Sequence, residues 1–215
     1  MGRRNTIEDF LLNSTILIEN SIKDAEVTAL LNEFGYTPEK LVAGKALLDK
    51  ANELHVKQKK EYSEQYTATS VLDEKFALMQ KTYMIHFKVA KVACMEDTEK
   101  RNKLGLLGAR KQTIAGLLDQ ATIFYESATN EAGIQESMAE YGITKEKLDA
   151  GKALVDDAVK AKVEKERETG EAQQATANRD KAFDDLSDWV SKLRKIARIA
   201  LAETPQYLEK LGIKA

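Results

Sequence analysis

Apolar residues recur along this chain at alternating spacings of three and four, the period of a helix with one buried face. Ile7, Phe10, Leu11, Leu17, Ile18 and Ile22 open the series. Thr6 stands before them, followed three residues later by Asp9, which predicts a capped helix start. Asn130 and Gly133 align with Lys23 and Glu26, so this helix is expected to break near Asp24. A short helix then runs up to Gly35, or to Gly142 further on, where a left-handed cap belongs.

Thr37 and Thr144 are expected to cap a second, long helix, with Pro38 at its first position and Glu39 or Glu146 in the first turn. Leu41, Leu47, Leu48, Ala51 and Leu54 form its apolar stripe. Gly44 and Gly151 fall inside it, at about 1 kcal/mol relative to alanine. With Ala43 and Ala46, or Ala150 and Ala153, beside them, they predict a smooth surface for a neighbouring backbone.

From Lys57 to Ser70, and from Glu164 to Lys181, the pattern turns polar on nearly every side, which core burial alone cannot hold. The reading is a projecting hairpin that turns near Thr67–Ser70 and Gln174–Ala177, with Thr69 and Thr176 capping the returning helix. The alternative is a single rod of about 90 Å, since no proline interrupts residues 39–97. The next apolar face carries Leu72, Phe76, Met79, Tyr83, His86, Phe87, Ala90 and Ala93. Thr204, Pro205 and Gly212 then bound a short terminal helix, of which Asp97 to Gly105 is the earlier version.

These elements occur twice. Residues 1–107 and 108–214 align at a constant offset of 107 without insertion. The clearest stretch pairs Glu33–Ala51 with Glu140–Ala158, identical at 13 of 19 positions. The fold class expected is all-α, a tandem duplication of an antiparallel helical-bundle unit with pseudo-twofold symmetry. Its domains are 1–107 and 108–215. Whether the two repeats share one core is open, and the apolar first helices would permit their exchange.

Composition narrows the function classes. The 33 basic and 35 acidic residues are interspersed, giving a net charge of -2 and no broad footprint for nucleic acid or an anionic membrane. The cluster Lys192, Arg194, Lys195 and Arg198 near Trp189 is offset by Asp184, Asp185 and Asp188. Cys94 is alone, which excludes an intrachain disulfide or a cysteine-cluster metal site, and it aligns with Leu201 as apolar filler. Glu8, Asp9 and Asn13 interrupt any leader-like apolar run, and no stretch approaches the ~18 apolar residues of a spanning helix. The expectation is a soluble cytoplasmic protein. Met1–Thr6 fits a loose myristoylation pattern, but Gly2 also has an ordinary place in the repeat beside Ala109.

Catalytic chemistry finds no footing. A di-metal bundle needs two Glu-x-x-His pairs, yet Asn52 and Tyr83 precede His55 and His86 at that spacing. His86 reads as a core residue and His55 as a surface one. Ala43-Gly44-Lys45 lacks the upstream glycine of a phosphate loop, and no histidine is common to both repeats for a nucleophilic triad. No catalytic, cofactor or metal residues are assigned.

The runs Tyr141-Gly142-Ile143-Thr144, Ala150-Gly151-Lys152-Ala153-Leu154 and Leu208-Glu209-Lys210-Leu211-Gly212-Ile213 resemble a group of uncharacterised bacterial tandem helical-repeat proteins. The resemblance implies the repeat architecture and carries no activity with it. The first repeat departs at Lys91 and Cys94, which face Arg198 and Leu201. The function expected is a non-catalytic interaction or scaffold protein with a protein partner, and Lys45 and Lys152 are its repeat-matched candidate surface. The alternative is a small-molecule-binding protein or enzyme with a pocket between helices near Gly44 or Gly151.

Overall fold

The computed structural model describes residues 6–214, so Gly2 lies outside the described residues. Among these the chain is all α-helical: α1 (Ile7–Lys23), α2 (Ala25–Glu33), α3 (Pro38–Ala93), α4 (Thr98–Lys103), α5 (Ile114–Asn130), α6 (Ala132–Ala139), α7 (Lys145–Ala200) and α8 (Pro205–Lys210). Each of α5 to α8 begins 107 residues after its counterpart in α1 to α4.

Local chemistry sets the boundaries. Thr6 Oγ1 accepts from the Asp9 amide while the Asp9 carboxylate accepts from the Thr6 amide, a reciprocal capping box. Asp24 ends α1 in extended backbone, and its carboxylate caps α2 through the amides of Glu26 and Val27. Gly35 and Gly142 take φ of 79° and 77°, the left-handed conformation that stops α2 and α6. Thr204 departs from expectation: its hydroxyl makes no cap to α8 and is buried without a hydrogen-bond partner.

No hairpin forms. α3 and α7 each run unbroken for 56 residues through the segments expected to turn. The hydroxyls of Thr69 and Thr176 donate to the carbonyls of Gln65 and Ala172 one turn back, instead of capping a new helix. In and just beside the polar stretches, mostly small residues are buried. Ala68 and Leu72 on α3, and Ala161, Ala172, Ala175 and Ala182 on α7, are buried at heptad-compatible spacings. Alanine contributes little to an apolar pattern, yet it suffices for close helix packing and has the highest helix propensity.

Two compact units result, Met1–Tyr62 with Glu171–Ala215, and Ser63–Gly170. The repeats divide the sequence at 107, whereas the units divide the fold inside α3 and α7. Each unit therefore joins the leading part of one repeat to the trailing part of the other. In the first unit, Leu17, Ile18, Leu31, Leu41 and Leu48 pack with Leu186, Val190, Leu193 and Leu201. In the second, Met79, Tyr83 and Ala90 pack with Phe124, Tyr125, Ile134, Leu148 and Val155.

Matching contacts close each unit. Asn20 Nδ2 donates to the Lys210 carbonyl at 2.6 Å, and Lys210 Nζ lies 2.9 Å from Asp24. At the repeat-equivalent positions, Ser127 Oγ donates to the Lys103 carbonyl at 2.8 Å, and Lys103 Nζ lies 3.2 Å from Glu131. Both contacts link a short helix of one repeat to the first helix of the other.

Candidate functional site

Lys45 and Lys152 follow Gly44 and Gly151 on α3 and α7, and they lie in different units. Lys45 is held. Its ammonium lies 2.8 Å from Asp49 and 3.4 Å from Glu19 on α1, and the Asp49 hydrogen bond leads the causes that raise its pKa. Lys152 is half-buried, and although Glu126 and Asp156 occupy the repeat positions of Glu19 and Asp49, no ion pair joins it to them among the described residues. The same sequence context thus gives two electrostatic settings.

The glycines preceding these lysines receive aromatic rings, not a backbone. A Cβ on Gly44 would collide with the six-membered ring of Trp189, and one on Gly151 with the phenol of Tyr125. The rings come from non-equivalent elements. Trp189 lies on α7, with Thr82 as its repeat mate; Tyr125 lies on α5, with Ile18 as its mate. One unit therefore fills the notch with Trp189, where the other repeat has Thr82, and the other unit fills it with Tyr125, where the first repeat has Ile18. The space directly beside these two glycines, where the alternative reading puts a pocket, is taken by the rings.

Both histidines are buried. His86 is a core residue as expected, with Nδ1 2.9 Å from the Tyr125 hydroxyl and the two rings nearly perpendicular. Burial foremost, then the charge of Lys147, lowers its pKa, and burial pushes the Tyr125 phenol far up. The pair is thereby kept neutral. His55 corrects the surface assignment: it is 9% exposed, edge-on to Phe183 at 6.0 Å. Its Nε2 lies 3.6 Å from Glu8, beyond hydrogen-bond reach. Phe183 belongs to the other repeat, which is why neighbouring sequence gives no sign of this burial.

Cys94 is buried and its thiol pKa is raised, with burial the first cause, which keeps it protonated and unreactive. Of the basic stripe, Lys192, Lys195 and Arg198 are exposed, and so are Asp184, Asp185 and Asp188 on the same helix. No described helix is long and apolar enough to cross a membrane.

The larger surface feature lies elsewhere. In the second unit α3 exposes Val71, Leu78, Ile85 and Val92, which lie off the apolar stripe marked by Leu72, Met79, Tyr83 and Ala90. Their spacing of seven was the available signal. No protein-family model, curated protein or solved structure matches this chain.

Proposed function

We propose that this protein is a non-catalytic helical interaction or scaffold protein, built by duplication of one helical unit. The observation that supports the reading most directly is the number of large apolar side chains that α3 and α7 turn to solvent, among them Val42, Val56, Tyr66, Ile85, Val163 and Ile199. Apolar side chains fixed on unbroken helices lose little conformational freedom on binding, so they serve as ready anchors for a partner. The filled spaces beside Gly44 and Gly151 favour this reading over a ligand pocket at those positions.

Lys45 and Lys152 are the repeat-matched candidate contacts. The test is affinity capture from native lysate with mass spectrometry, using the wild type beside a paired Lys45→Glu, Lys152→Glu variant. A protein retained reproducibly by the wild type supports the reading, and its loss in the variant places the contact at the lysines. Retention of a small molecule with no protein partner would overturn it.

A further inference from the structure

Val71, Leu78, Ile85 and Val92 stand at strict seven-residue spacing on α3, all within the second unit. Seven residues are nearly two helical turns, so the four side chains form one row about 30 Å long. They are 43%, 48%, 53% and 55% exposed, and Met95, just past the end of α3, is 64% exposed.

The fold does not require them. In the repeat-equivalent segment of α7 the same positions hold Asn178, Asp185, Lys192 and Ile199, the first three polar. The core side of α3, about a quarter turn round from the row, carries Met79, Tyr83 and Ala90, with Leu72 also buried, so the row lies off the packed face.

The charge around the row is one-signed over its central part. Between Leu78 and Val92 the exposed charged residues of α3 are Lys81, Lys88 and Lys91. Lys81 and Lys88 form no ion pair among the described residues, and Lys91 sits over the Phe87 ring at 5.0 Å. Lys75 is engaged with Asp157 at 3.4 Å, and the exposed acids Asp73, Glu74 and Glu96 stand towards the two ends.

We infer that this face of α3 docks an acidic amphipathic helix, whose apolar seam lies along Val71, Leu78, Ile85 and Val92 and whose flanking carboxylates meet Lys81, Lys88 and Lys91. This rests on the interaction-protein reading and names the surface and the partner's chemistry. Heptad spacing on one helix matches apolar positions on another. The central lysines select carboxylates on the partner. Parallel pairing of the row with itself sets each lysine against its own copy, whereas antiparallel pairing, Leu78 against Ile85, repels at Lys81 but sets Glu74 against Lys88 on both sides, so a second copy is the rival occupant that sedimentation tells apart.

The test is fluorescence anisotropy of the full chain with a labelled synthetic helix of about four heptads, leucine at a and d and glutamate at e and g. A matched peptide carries lysine at e and g. The variant Val71→Asn, Leu78→Asp, Ile85→Lys takes the residues already present at 178, 185 and 192 and leaves net charge unchanged. Should it lose helical circular dichroism, the single Ile85→Lys variant carries the test. The wild type is expected to bind the glutamate peptide at least about tenfold more tightly than the variant does, and more tightly than it binds the lysine peptide.

Equal binding by wild type and variant, or no binding, overturns the inference. So does a wild-type dimer that the variant abolishes in sedimentation, which would identify a second copy as the occupant. Variant-sensitive binding to phosphatidylglycerol vesicles in place of the peptide overturns it in favour of a lipid surface. In lysate capture, a partner held equally by wild type and variant removes this surface and leaves the interaction reading standing, whereas no partner with either removes the reading itself.

Discussion

The Tyr125 hydroxyl and His86 Nδ1 meet at 2.9 Å inside the second unit, where the repeat-equivalent positions of the first unit hold Ile18 and Leu193, both fully buried. One scaffold therefore accommodates a hydrogen-bonded polar pair and an aliphatic pair at the same place. The polar version is satisfied only as a pair, because a lone buried hydroxyl or imidazole lacks the water it gave up on folding.

Breaking the pair one side at a time should accordingly cost more than removing both polar groups. Tyr125→Phe and His86→Leu are each expected to destabilise the fold by about 1–3 kcal/mol, the penalty of an orphaned buried group. The double variant should fall short of the sum by about 0.5–3 kcal/mol. Urea denaturation of the four species measures the coupling, and strict additivity would show that the contact contributes nothing.

Both histidines also tie stability to pH. Burial is the first cause lowering each pKa from 6.5, with Lys147 adding to it at His86 and Lys59 at His55; Glu8 opposes it at His55. A base with a depressed folded-state pKa binds fewer protons when folded than when unfolded, so stability increases with pH across that window. The stabilisation is complete above the unfolded value near 6.5 and is lost as pH falls towards the folded values. Thermal melts from pH 7.5 down to 5 should therefore show a falling midpoint. His86→Leu should flatten that slope, and an unchanged slope would exclude His86 as a source.

Sequence-local features of the fold were legible because their causes are local. Thr6, Asp24, Pro38, Gly35 and Gly142 act through caps, a fixed φ or a positive φ, and each lies where its helix begins or ends. The continuity of α3 and α7 was not legible, since alanines such as Ala161, Ala172 and Ala175 scarcely register as apolar although they form the buried face. Nor was the make-up of the units: His55 is buried by Phe183, and Gly44 is covered by Trp189, contacts between repeats that no local window contains. Both lysines of the candidate surface lie on the helices expected, but the Lys45 bridge to Glu19 depends on how α1 packs against α3.

Three mid-helix glycines separate packing from propensity. In an exposed helix interior, alanine is favoured over glycine by about 1 kcal/mol, so Gly170→Ala on α7, where a Cβ would meet open space, should stabilise by that amount. The same substitution at Gly44 or Gly151 drives a methyl group into the Trp189 or Tyr125 ring. Overpacking of this kind costs about 1–3 kcal/mol or more, and neither ring can retreat easily: Trp189 is set edge-on against Tyr36 at 5.8 Å, and Tyr125 is tied to His86. The propensity gain is therefore expected to be offset or exceeded at both sites. Thermal melts of the three single variants should show Gly170→Ala above the wild type and the other two below it. If all three rose together, the rings would yield freely, and these glycines would have no packing role.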